Sequence, residues 1–207
     1  MVQRIVRIAA GAVLTGGLCL FVAPGVVAGG PAYGQGSLKA EADPDSGLVR
    51  WHWQGQGLSL ELAQLLPDQT RAFFMGRGFS AGQAEVVAEA CVFQGIVRNT
   101  HAEEPIELDL ARWRTRGGAG ADRLRLNRDW QAIWEEMGVA DSARIAFRWA
   151  LFPTEHRFEP GDWLMGMVMV DRNAGDQFDL VLRWSAAGTD RRAVLSDLGC
   201  AGEGGGQ

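Results

Sequence analysis

The chain has three histidines, and they bound its acid–base chemistry. His101 lies in Thr100-His101-Ala102-Glu103-Glu104, just ahead of Pro105, and His156 closes Pro153-Thr154-Glu155-His156. An imidazole beside a carboxylate can pass a proton or help hold a metal. Brought together in space, His101, Glu103 and His156 would make an enzyme site of dispersed residues. By spacing alone, each falls in a short polar connection between apolar runs, which is an ordinary solvated turn. Glu135 and Glu136 are sequence neighbours, so they do not face each other on a helix. No residue is assigned a catalytic role on this basis.

Met165, Met167 and Met169 recur at every second position, which on a strand places them with Trp163 on one face. Thioether sulfur is a soft ligand suited to Cu(I). His52, flanked by Trp51 and Trp53, adds an imidazole and aromatic surface. Met165, Met167, Met169 and His52 are therefore the candidate metal set, and copper the candidate cofactor. The competing reading is core packing of adaptable methionines against aromatics. It requires only that the Met face be covered.

Arg112, Arg114, Arg148 and Arg183 each adjoin a tryptophan: Trp113, Trp149 or Trp184. Sequence neighbours on a strand point to opposite faces, so the pattern predicts Trp inside and Arg outside. Aligned across several strands, the four arginines would form a positive patch for an anionic ligand or partner, on a chain of net charge −5.

Some chemistry has no motif here. There is no HExxH, no GxSxG, no P-loop and no GxGxxG opening a helix. Gly117, Gly118 and Gly120 precede Arg123-Leu124-Arg125-Leu126, which alternates like a strand, whereas a phosphate cradle needs a helix start. The acidic balance argues against a general nucleic-acid binder, which needs clustered positive charge to displace counterions.

Arg4 and Arg7, then an apolar stretch from Ile8 to about Ala28 and a small-residue exit, form the layout of a secretory signal peptide over residues 1–28. Val26 and Ala28 fit one cut; Ala32 and Gly34 fit another as late as residue 34. Gly16, Gly17, Pro24 and Gly25 weaken the continuous helix that an uncleaved anchor would need. Residues 29–47 read as a flexible leader and residues 201–207 as a disordered tail. Loss of Cys19 with the signal would leave Cys91 and Cys200. In an oxidising compartment these predict one disulfide, stabilising by about 4–5 kcal/mol through chain entropy.

The elements that must position these groups alternate apolar and polar residues. Leu48–Trp53, Leu58–Leu62, Val92–Asn99, Ile106–Leu110, Ile145–Leu151, Trp163–Val170, Phe178–Trp184 and Arg191–Leu198 all carry strand patterns. Pro67-Asp68-Gln69 opens one helix. Ser80 with Gln83 forms a capping box for a second, which carries Ala84, Val87, Ala88 and Cys91 on one side. Asn127 caps a third helix with Trp130, Ile133, Trp134 and Met137, ended by Gly138.

The expected fold is mainly β with α (α+β). It is a single antiparallel β-sandwich or barrel-like domain over residues 48–200, with an inserted helical hairpin at about 67–91 and one further short helix. The expected function is that of a periplasmic or secreted accessory or binding module, taking an envelope protein partner or a small ligand, without a membrane span once the signal is cut. The alternative is an enzyme whose site is assembled from the dispersed His and Glu residues.

Overall fold

A computed structural model describes residues 36–117 and 122–202. The signal-like segment, most of the Gly117–Gly120 cluster and the last five residues lie outside that range.

The alternating segments pair as antiparallel ribbons. β1 (Ser37–Ala42), β2 (Val49–Gly55), β3 (Leu58–Gln64), β4 (Cys91–Asn99) and β8 (Trp163–Val170) form one sheet in the order β1-β2-β3-β4-β8. β5 (Ile106–Asp109), β7 (Glu155–Phe158), β9 (Gln177–Ala186) and β10 (Thr189–Gly199) form a second in the order β10-β9-β5-β7, with β6 (Arg114–Arg116) also on β9. Gln56 and Gly57 make the two-residue turn between β2 and β3 with φ of 47° and 78°, the geometry that suits the twist of a hairpin.

The two sheets bury their facing sides against each other. Trp51, Trp53, Leu60 and Phe93 from the first sheet meet Phe178, Leu182, Trp184 and Leu195 from the second. Trp53 and Trp184 pack edge to face with centroids 5.6 Å apart. At one end the sheets are cross-linked. Cys91 and Cys200 stand at disulfide distance, with Cα atoms 5.2 Å apart and a sequence separation of 109. Gln64 braces the same end, accepting from the Val49 amide at 2.7 Å and donating to the Gly199 carbonyl at 2.8 Å.

A helical layer covers the opposite side of β4 and β8. It holds α1 (Pro67–Met75), α2 (Ala81–Ala88), α3 (Asn127–Glu136) and α4 (Asp141–Ala150). Its own core gathers Phe74, Phe79, Trp130, Trp134 and Phe147 over Val92, Met167 and Met169. Trp130 and Trp134 lie nearly parallel, with centroids 5.2 Å apart. The molecule is an α+β fold, mainly β, as the alternation implied.

Four expectations are corrected. Residues 144–150 are not a strand but most of α4, with Leu151 as its extended cap, so the third helix belongs to a second helical hairpin instead of standing alone. Alternation there hides a helical period. Ala143 and Phe147 are buried one turn apart, while Ile145 and Trp149 share an outward face. Residues 37–42 of the expected leader are a strand, since they pair with β2 as β1 and Leu38 packs on the sandwich core, while residues 29–35 lie outside the described range. Cys91 is not on α2, which ends at Ala88; it begins β4 and faces the sandwich. Asn127 is the first residue of α3, and Leu126 takes the cap position.

Candidate binding site

Among the described residues β8 is the last strand of its sheet, and its outer edge is only partly covered. The Phe152 amide donates to the Met167 carbonyl at 2.9 Å, and the Arg125 amide to the Met169 carbonyl at 2.9 Å. Odd-numbered residues of β8 therefore aim their backbone groups away from β4. At Trp163 and Met165 no strand of the described residues pairs with that edge. Close to this open stretch the chain leaves α4 and passes over Gly166. A Cβ on Gly166 would sit 2.6 Å from the Phe152 nitrogen, so only glycine admits the crossing.

The last turn of α4, this crossing and the first half of β8 enclose a cavity of about 470 Å³. Leu151, Phe152 and Leu164 contribute to its apolar lining, Met165 and Trp149 stand at its margin, and His156 and Arg148 add polar groups. Trp149 is 80% exposed and Met165 53% exposed, although both are large apolar side chains. Arg148 makes no ion pair among the described residues. Arg98 lies over the Trp163 ring with its guanidinium 5.8 Å from the centroid, on the same strand end. Exposed tryptophan beside arginine and an apolar cavity is a composition typical of the energetic centre of a binding surface.

The candidate metal set is not gathered at one point. Met167 and Met169 are buried in the aromatic core under the helices, at 7% and 1% exposure, and only Met165 reaches solvent. His52 shares a cross-strand row with Met165 through Glu61 and Ile96, but three strand spacings separate them, roughly 14 Å at ~4.8 Å per strand. For Met167 and Met169 the observed environment is that of core packing. Among the described residues no cluster of three or more His, Cys, Asp or Glu could hold a metal ion.

The candidate arginines divide between two faces. Trp113 and Trp184 are buried, at 1% exposure each, as the alternation predicted. Arg112, Arg114 and Arg183 belong to the second sheet and the short helical turn beside it. Arg112 pairs with Asp190 at 2.8 Å and holds that carboxyl below its ordinary range through this hydrogen bond. Arg114 donates to the Ala111 and Trp113 carbonyls. Arg183 lies opposite Arg192 across β9 and β10. Arg148 is on α4, in the layer that covers the other sheet, and its neighbour Trp149 points outward rather than in.

The histidines remain apart as well. His101 sits in the β4–β5 connection, 3.3 Å from Glu104, and its amide donates to the Asn99 side chain at 2.9 Å. Asn99 is fully buried and donates to the Glu104 and Phe158 carbonyls at 2.8 and 3.1 Å, which pins this loop to β7. His156 packs edge-on against Phe158 at 4.5 Å and lines the Trp149 cavity, whose lining does not include His101 or Glu103.

The Trp149 groove was invisible to pattern reading, because a strand over 144–151 puts Trp149 inside. The usable signal was Ala143, Phe147 and Leu151 at four-residue spacing. No family profile, curated protein or solved structure matches this chain. Among the described residues no helix is long and apolar enough to cross a membrane.

Proposed function

We propose that this protein is an accessory binding module of the bacterial cell envelope that holds an extended segment of a protein partner in the groove beside Trp149. The observation that carries this reading is Trp149 itself, 80% exposed at the margin of an apolar cavity. The adjoining edge at Trp163 and Met165 offers backbone donors and acceptors to an added strand. The cavity beside it suits an apolar side chain of that strand, and alternation of backbone pairing with side-chain pockets is how sheet edges take peptides. Arg148 and Arg98 favour acidic residues next to the apolar anchor. Envelope location rests on the signal-like N-terminus and on a cysteine pair at disulfide distance, which suits an oxidising compartment.

The experiment is site-specific photo-cross-linking in cells. A photoreactive residue at Ile145, one turn before Trp149 on the same face of α4, should yield a discrete adduct. The adduct should disappear in Trp149→Ala and Met165→Glu, and the same probe at Arg116 on the second sheet should not produce it. An Ile145 adduct that survives both substitutions, or no adduct at all, removes the reading.

A second reading, an anionic partner on the Arg112, Arg114 and Arg183 face, is favoured by the facing Arg183 and Arg192. It predicts capture that weakens steeply with salt and is lost in Arg183→Glu.

A further inference from the structure

We infer that two copies of this chain associate by pairing their β1 strands antiparallel about Ala40, joining their first sheets into one continuous sheet. This does not depend on the Trp149 groove, which lies at the opposite edge of that sheet.

Among the described residues β1 is an edge strand, paired only with β2. The turn closing β2 and β3 makes Gly55 and Leu58 a hydrogen-bonded pair, so Gln54, His52 and Arg50 aim their backbone groups at β1. Their register partners Ser37, Lys39 and Glu41 are thereby occupied. Leu38, Ala40 and Ala42 alternate with them and direct their N–H and C=O groups out of the sheet. None of these three is a proline, so the edge is a complete template for another strand.

The template fits itself. In an antiparallel arrangement centred on Ala40, Ala40 faces Ala40 of the second copy, and Leu38 faces Ala42 of the second copy on each side. These are the residues with free backbone groups, and they supply about six hydrogen bonds. The intervening pairs are then Lys39 with Glu41 of the second copy, and Glu41 with Lys39 of the second copy. They occupy the non-hydrogen-bonded positions, where facing side chains come closest and opposite charges stabilise. Both charges are available, since neither Lys39 nor Glu41 forms an ion pair among the described residues. Side by side on the inner face, Leu38, already half-buried against the sandwich core, gains the methyl groups of Ala42 and Ala40 from the second copy.

The charge order sets this pairing apart from a parallel one. Parallel strands in register would oppose Lys39 to Lys39 and Glu41 to Glu41. Only the antiparallel two-fold brings unlike charges together at both positions, and a two-fold contact closes on itself without growing into a fibre. Lys39 is the chain's single lysine. A lysine on a sheet edge ordinarily discourages pairing, and here the same residue selects one partner and one direction.

The test uses the purified protein with its disulfide intact, followed by analytical ultracentrifugation. Wild type should be a concentration-dependent dimer. Lys39→Glu alone places like charges at both inter-copy positions and should be monomeric, as should Glu41→Lys alone. Mixing these two variants restores unlike pairs at both positions, so a heterodimer should form from two monomeric species. Carbodiimide, which joins an amine to a carboxylate without a spacer, should link Lys39 to Glu41 between copies and give that peptide pair on digestion. Near-UV circular dichroism of the buried tryptophans checks that each variant is folded. A wild type that stays monomeric, a dimer indifferent to both substitutions, or single variants that fail to combine on mixing would each overturn the inference.

Discussion

Arg183 on β9 and Arg192 on β10 are direct cross-strand partners, two like charges held side by side on the outer face of the second sheet. Facing like charges destabilise a sheet by a fraction of a kcal/mol. Arg183 also lies near the Asp190 carboxylate and, after the Arg112 hydrogen bond, helps hold it below its ordinary range. The two effects offset, so Arg183→Glu should change folding stability by less than about 1 kcal/mol in a denaturant titration. The same substitution should weaken any anionic partner bound on that face. Weakened capture with stability held within that margin would mark the pair as kept for binding; a loss of more than about 1 kcal/mol would mean Arg183 has a structural role.

The Cys91–Cys200 link ties the two sheets together across a sequence separation of 109. Replacing both cysteines by alanine should lower stability by about 2–5 kcal/mol, with most of the effect on the unfolded chain. Reductant should shift the unfolding midpoint of the wild type towards that of the double variant. An unchanged midpoint on reduction would mean that the thiols are not joined in solution.

Phe147 and Trp149 lie two residues apart on α4 and should respond in opposite ways. Phe147 is fully buried against Phe74, Phe79, Trp130 and Trp134. Phe147→Ala should cost about 3–5 kcal/mol in thermal or denaturant unfolding. Trp149→Ala should leave stability within about 0.5 kcal/mol, because the side chain is mostly in water. If residues 144–151 were a strand, the two substitutions would cost comparable amounts.

Arg71 joins the two helices of the first hairpin by bonding Glu85 at 2.6 and 2.8 Å, and it also pairs with Asp68. This hydrogen bond and charge hold the Glu85 carboxyl below its ordinary range. A carboxyl depressed in the folded state lends stability above its unfolded pKa, and that stability fades as pH falls through the folded pKa. Arg71→Gln should thus be less stable than wild type at neutral pH, by a small margin at so exposed a site. The two proteins should converge as acid protonates Glu85. A difference that persists unchanged into acid would assign Arg71 a packing role instead.

Much of the sandwich was legible because its strands are amphipathic with period two: Leu58, Leu60 and Leu62 face in, and so do Phe178, Leu180, Leu182 and Trp184. The cysteine pair was legible from arithmetic. The second hairpin was not, since Ile145, Phe147, Trp149 and Leu151 satisfy alternation and helical spacing at once. Only tertiary packing on Met167 and Met169 selects the helix. The Met stripe had a similar ambiguity. Its strand and its face were readable, but whether anything covered that face depended on helices from two distant stretches of sequence. The groove at Trp149 depends on the same helices, so it could not be read before they were placed.

The order of the strands in the first sheet bears on how the chain acquires its shape. β1, β2 and β3 are local hairpins, complete within the first 64 residues, yet Trp53 packs on Trp184 of β9, and the core that buries Trp51, Trp53 and Leu60 is completed by β9 and β10, more than 100 residues later. A polypeptide made from its N-terminus exposes those indoles for as long as the later half takes to appear. β4 meets the same delay in waiting for β8. Closure of the sandwich therefore rests on contacts of high sequence separation, and the N-terminal hairpins have no cover for their indoles until the last hairpin arrives.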